Sequence, residues 1–147
     1  MFFDFLGGSL YLLLLTFLDA MGCPDIPVYR GATEALVVPD ESNENYHGVD
    51  GFNDVEFDDE PDVRRVKNEM AASAISRLVK QFPGEIDLTA VGPLTNVAIA
   101  MSVDPDLADN LHQLFIMGGN IEGIGNVTSS AEFNFHADPE AAFTVLR

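Results

Sequence analysis

The sequence predicts an α/β architecture, a mostly parallel sheet flanked by helices and incomplete at both ends. Three observations carry that expectation. From Ile86 onward, short strand-like apolar runs alternate with helix-like runs, the order that a parallel sheet with crossover helices requires. Pro and Gly stand at the junctions, in Pro83-Gly84, Gly92-Pro93, Asp104-Pro105, Gly118-Gly119 and Asp138-Pro139. A hydrophobic content of 47% in 147 residues supports one domain with a real core and excludes a disordered composition.

The chain opens with MFFDFLGGSLYLLLLTFLDAMGC, apolar without a break from Leu10 to Leu18 except Thr16, and with no Lys or Arg before Arg30. A secretory signal has such an apolar middle and a small-residue cut region like DAMG, but it also has a basic start, which is missing here. The run is too short to cross a membrane as a helix by itself. Residues 1–18 therefore read as a divergent apolar segment with signal-like features, and residues 19–147 as the domain proper. The missing basic start favours a cytoplasmic chain over a secreted one.

In DIPVYRGA, residues Ile26 to Tyr29 are β-prone, and Pro27 assigns them to an edge or to a strand start. Thr33 to Asp62 shows little periodicity and reads as a long loop, a length that in compact domains is often functional. Its end carries six carboxylates, Asp54, Glu56, Asp58, Asp59, Glu60 and Asp62, best read as a solvated approach to a helix start. Val63, Val66, Met70, Ala74, Ile75, Leu78, Val79 and Phe82 then recur at helical spacing, predicting one helix that Pro83-Gly84 stops.

EIDLTAVG follows as a buried strand, and PLTNVAIAM as a second helix with Pro near its first position. Asp104-Pro105 repeats the device, an N-cap and then Pro, for DPDLADNLH. QLFIMGG is a second strand ending in paired glycines. EFNFHA reads as a short extended piece, and Asp138 as the N-cap of a third helix, DPEAAFTVL.

The charge balance, 7 basic against 24 acidic residues for a formal −17, repels phosphate backbones and excludes nucleic acid as a main partner. It does not argue against a single nucleoside, which carries no phosphate. The single cysteine, Cys23, excludes an internal disulfide and gives no metal-binding spacing.

In parallel sheets, ligands bind beyond the carboxyl ends of the strands. Two such ends are legible, Val91-Gly92-Pro93 and Met117-Gly118-Gly119. In AEFNF, extended alternation puts Glu132 and Asn134 on one face and Phe133 and Phe135 on the other. A carboxylate that accepts, beside an amide that donates and accepts, suits a vicinal diol such as a ribose. A strand with one polar and one apolar face is also the commonest strand there is, so spacing alone does not assign a site. Asn126-Val127-Thr128 fits the acceptor pattern for N-glycosylation.

The ordered series AVGPLTNVAIAMSVDPDLADNLHQLFIMGGNIEGIGNVTSSAEFNFHADPEAA, preceded by DIPVYRGA and HGVDG, resembles the inosine-uridine nucleoside hydrolases over roughly residues 18 to 147. The resemblance implies a Rossmann-like sheet and hydrolysis of the N-glycosidic bond of ribonucleosides to ribose and free base. It also implies a Ca²⁺ ion that binds the nucleophilic water and ribose hydroxyls. Calcium takes oxygen ligands, backbone carbonyls included, and the resemblance assigns Val91 a carbonyl ligand's position. Asn126 and Glu132 match residues at the ribose 5′-hydroxyl region, and Asn134 one that holds the other hydroxyls. Met117 matches a pocket-lining methionine, and His47 the histidine near base or ribose. On this reading the glycosylation pattern is incidental, because Asn126 is needed inside. The resemblance further implies a homo-oligomer, a dimer or tetramer, for a full-length chain.

The sequence departs from the family's pattern in two places. The N-terminal D-x-D-x-x-x-D-D motif, which supplies the metal's main carboxylates and the general base, has no counterpart in the first 18 residues, whose only acid is Asp4. The C-terminal His-Asp pair is absent as well. The expectation is a fragment, inactive alone, without catalytic residues of its own. The alternative is a catalytically dead relative that keeps the fold as a binding or interaction protein.

Overall fold

The computed structural model describes residues 2–3, 10–38 and 61–147. In chain order the elements are β1 (Phe2–Phe3), α1 (Leu10–Ala20), β2 (Val28–Arg30), a 3-10 turn (Val63–Arg65), β3 (Val66–Met70), α2 (Ala71–Gln81), β4 (Asp87–Ala90), α3 (Thr95–Val103), α4 (Leu107–Asn110), β5 (Gln113–Ile116), α5 (Phe133–Ala137) and α6 (Pro139–Leu146). Every recorded strand pairing is parallel, β1-β2-β3 in one sheet and β4-β5 in another, the latter as the alternation from Ile86 onward predicts. Two compact units result, Met1–Thr33 with Glu41–Ala71, and Glu34–Asp40 with Ala72–Arg147.

In the first unit, α1 lays Leu15 and Leu18 on Val28 of β2, with Tyr11, Leu14, Cys23, Ile26 and Val66 around them. Fully burying Leu15, Leu18 and Val28 contributes about 1.5–3 kcal/mol each. The helix ends in a Schellman motif. Cys23 N–H donates to the Leu18 carbonyl at 2.8 Å and Gly22 N–H to Asp19 at 3.0 Å, with Gly22 at φ 69°, a conformation glycine adopts without steric cost. Arg65 binds this helix end, pairing with Asp19 and donating to the Pro24 carbonyl at 2.7 Å. Pro27 precedes β2 directly, so of its two readings it marks the strand start. The apolar run of α1 is thus a packed helix, and no described helix is long and apolar enough to cross a membrane.

Four local expectations are corrected. The helix predicted from Val63 begins only at Ala71, because Val66–Met70 pairs in parallel with β2 as β3. Of the six carboxylates, Asp62 lies among the described residues. It caps the 3-10 turn rather than a helix, accepting from Arg64 N–H at 3.0 Å and pairing with the Arg64 guanidinium, which holds its carboxyl down at about 2. Pro93 stands outside α3, which starts at Thr95 behind Leu94. Asp104 does not open α4. It closes α3 as its C-cap, while Asp106 precedes α4.

In the second unit, α2 buries Ala74, Ile75 and Val79; α3 packs on α6, and Val97, Ala98 and Ala100 are buried on the first of these helices and Ala141 and Ala142 on the second. Small residues on both helices let the backbones approach closely, as ridges-into-grooves packing requires. Asp104 ties α2 to the end of α3. Its carboxylate accepts from the Ser76 hydroxyl at 2.7 Å and pairs with Lys80 at 3.1 Å. The Ser76 hydroxyl, with Lys80 in support, lowers the Asp104 carboxyl below its ordinary range against the opposing effect of burial. β4 and β5 run in register from Asp87 beside Gln113 to Ala90 beside Ile116, and so deliver Val91 and Met117 to the same end of the sheet.

Candidate functional site

Four of the residues singled out from the sequence come together beyond the carboxyl end of β5. The strand stops where Met117 N–H makes a last bond to the Ala90 carbonyl, 2.9 Å, and Gly118-Gly119 turn the chain away. Gly119 sits at φ 69°. A Cβ on Gly118 would lie 2.4 Å from Phe135 Cε1, and one on Gly119 2.9 Å from Cε2, so the Phe135 ring occupies the space that side chains would need. Packing calls for glycine at both positions, and the positive φ adds a second reason at Gly119.

Residues 120–131 return over this turn. Asn120 Nδ2 donates to the Ser130 carbonyl at 2.9 Å, and Ala131 N–H to the Thr128 hydroxyl at 2.9 Å. Asn126 N–H bonds the Ala131 carbonyl at 3.0 Å, and Asn126 Oδ1 accepts from Phe133 N–H at 2.8 Å. Thr128 and Asn126, the polar members of the glycosylation pattern, thus both serve local hydrogen bonds.

The extended reading of EFNFHA is corrected here. Phe133–Ala137 is helical, α5, with Glu132 as its N-cap. Glu132 and Asn134 are neighbours because the cap folds onto the first turn, not because they alternate on a strand face. Phe133 is exposed and Phe135 packs on the glycine turn, so the two phenylalanines do not form a common core face.

The Glu132 carboxylate joins the two sides of the site. Oε1 accepts from Asn134 N–H at 2.9 Å. Oε2 accepts from Phe135 N–H at 3.2 Å and from Gly119 N–H at 2.7 Å. Each carboxylate oxygen offers about two lone pairs, so Oε2 is fully used and Oε1 retains one. Asn134, only 4% exposed, donates Nδ2 to the Met117 carbonyl at 2.7 Å. Among the described residues nothing donates to its Oδ1. A buried amide carbonyl without a donor is costly and uncommon in native structures.

Val91 leaves the neighbouring strand β4 at the same end of the sheet. Its carbonyl accepts no hydrogen bond among the described residues, so the oxygen is free to bind a cation or a hydroxyl. Among the described residues no three His, Cys, Asp or Glu side chains gather into a metal-binding group. His47 lies outside the described residues.

One constellation escaped the sequence reading. Asp138, fully buried, caps α6 through Ala141 N–H at 2.9 Å, and it also accepts from the Thr95 hydroxyl and from Leu36 N–H at 3.0 Å. Only the capping role is legible locally. The signal that could have exposed the rest is Thr95, a hydroxyl inside the apolar run of PLTNVAIAM.

Comparison with known proteins places this geometry. The profile of the family described as inosine-uridine preferring nucleoside hydrolase matches residues 11–147. A probable uridine nucleosidase 2 of Oryza sativa is 37% identical over 129 residues, covering 87% of this chain and 38% of the relative. A pyrimidine-specific ribonucleoside hydrolase of Escherichia coli is 38% identical over 122 residues, covering 83% and 38%. Among solved structures, a purine-preferring ribonucleoside hydrolase from Gardnerella vaginalis superposes with a TM-score of 0.83 at 31% identity, over 92% of this chain and 44% of that one. A plant nucleoside hydrolase gives 0.80 at 34%, over 91% and 42%. The chain spans about two-fifths of the length of the curated relatives it matches. With its parallel strands, its strand-end glycines and a match over nearly its whole length, the chain belongs to the inosine-uridine preferring nucleoside hydrolase family.

Proposed function

We propose that the corner formed by Met117, Asn126, Glu132 and Asn134 binds the ribose of a ribonucleoside in a reaction that hydrolyses its N-glycosidic bond. Water adds to the anomeric carbon, the C–N bond breaks with its electron pair going to the base, and the base takes up a proton. The products are ribose and free base. The carrying observation is Asn134 Oδ1, a buried acceptor without a donor among the described residues, on a residue whose own N–H is held by Glu132 Oε1, an oxygen with a lone pair to spare. Two acceptors on neighbouring residues of one helix turn suit a pair of sugar hydroxyls, and Asn126 Nδ2 adds a donor. The same carboxylate places negative charge near a ring that becomes oxocarbenium-like at the transition state. The names of the relatives, uridine nucleosidase and ribonucleoside hydrolase, point to the same substrate class.

A calcium ion belongs to this reading as a family expectation with an incomplete cage, because among the described residues no three His, Cys, Asp or Glu side chains gather to hold it. Val91 would supply it one carbonyl oxygen, in keeping with calcium's preference for oxygen ligands. When bound, the ion would lower the pKa of a water and orient ribose hydroxyls. This chain's own side chains bind and orient the ribose. Glu132 is held by three N–H groups and cannot swing away, so it orients rather than transfers. Met117 and Phe133 flank the corner as apolar, exposed side chains. A homo-oligomer is part of the same proposal.

The test is a titration of the purified chain with inosine and with uridine, followed by ¹⁵N NMR and by an assay for released ribose. Ligand-induced shifts of the Asn134 side-chain amide and the Gly119 N–H support the site. Shifts without ribose release, with or without Ca²⁺, agree with a chain that is inactive alone, and ribose release from either nucleoside overturns that expectation. No shift with either nucleoside removes the proposal.

A further inference from the structure

We propose that Thr95 and Asp138 form a positioning pair that sets the spacing between the two strand-end loops of the site. The inference rests on the ribose reading of Glu132 and Asn134 and extends it to residues that touch no ligand. Thr95 begins α3 four residues after Val91, and the intervening Pro93 restricts the connecting backbone. Asp138 directly follows α5, whose first turn is capped by Glu132 and contains Asn134. The Thr95 hydroxyl donates to Asp138 Oδ2, so one hydrogen bond joins the loop that presents the Val91 carbonyl to the helix that presents the ribose acceptors.

Capping alone does not account for this arrangement. Asp138 Oδ1 already caps α6 at Ala141 N–H, 2.9 Å, a task that an exposed Ser, Thr or Asn performs equally well. Both Thr95 and Asp138 are 0% exposed. The Asp138 partners among the described residues are neutral donors, Thr95, Leu36 N–H at 3.0 Å and Ala141 N–H. Burying a carboxylate on neutral donors costs free energy that a helix cap does not require. The second oxygen serves a different purpose: it holds α3 and the 34–38 segment to the α5–α6 junction, and through α5 it fixes the direction of the Glu132 cap.

Amide hydrogen exchange by NMR tests the pair in the intact chain, with Thr95→Val to delete the hydroxyl and Thr95→Ser to keep it. The amides of Gly119, Asn134 and Phe135, all bonded to Glu132, should exchange about tenfold faster in Thr95→Val, while the His112 and Gly84 amides at the other end of the sheet keep their wild-type rates. Thr95→Ser should restore protection. Inosine affinity should fall and recover in step. Equal acceleration at all five amides would mean that Thr95 contributes only to global stability, and unchanged exchange would mean that it positions nothing. Either result overturns the pair. A wild-type chain that binds neither inosine nor uridine defeats the ribose reading, while the exchange pattern still decides the positioning role.

Discussion

At the scale of single residues, Glu132 holds the candidate site together, because one carboxylate satisfies three N–H groups from both sides of the corner. Glu132→Ala removes a helix cap and a charge-assisted bond to Gly119 at once, and should cost about 2 kcal/mol in chemical denaturation. A loss under about 0.5 kcal/mol, the range of an ordinary surface change, would show that water replaces the carboxylate at all three donors. Gly118 gives a second prediction. A methyl there meets the Phe135 ring at 2.4 Å, so Gly118→Ala should destabilise by about 1–3 kcal/mol. Adding Phe135→Leu should recover part of that loss. A double-mutant cycle with no coupling between the two sites would place the strain elsewhere.

At the scale of elements, the corrected assignments share a cause. Val66 and Met70 are four apart, and positions four apart share a face in a strand as well as in a helix, so the apolar pattern did not separate β3 from α2. What separates them is pairing with β2, a contact beyond the reach of local periodicity. The Glu132-Phe133-Asn134-Phe135 alternation misled in the same way, because a Glu before a short helix can fold its carboxylate onto the first turn. Asp104 supplies the pH prediction at this scale. Its carboxyl is lowered in the folded chain by the Ser76 hydroxyl, so the α2–α3 tie is present above the ordinary carboxylate value of about 4 and is lost as pH falls through the lower folded value. Thermal midpoints across this range should therefore drop more steeply for the wild type than for Asp104→Asn. Parallel profiles would assign the acid limb to other carboxylates. Lys80, more than half exposed, adds little to the tie.

At the scale of the whole molecule, a formal charge of −17 opposes self-association, while exposed Phe143 and Leu146 on α6, with Ile121 and Ile124, favour it. Raising salt from about 0.02 M to about 0.5 M shortens the screening length from roughly 20 Å to under 5 Å, which weakens the repulsion and leaves the apolar term. Sedimentation velocity should show association that grows with salt and is suppressed by Phe143→Glu. Association that falls with salt would mean that ion pairs drive it. The sequence by itself determined the parallel α/β order, the strands β4 and β5, the boundaries at Pro83-Gly84, Gly118-Gly119 and Asp138-Pro139 and the family, since these follow from local periodicity, turn chemistry and an ordered set of motifs. Only the tertiary structure decided which lone pairs of Glu132 are used, that Asn134 buries an acceptor without a donor among the described residues, and that Asp138 reaches Thr95 and Leu36, a residue 102 positions away. Hydrogen-bond partners of buried groups depend on how distant elements pack, and no local pattern of residues encodes that.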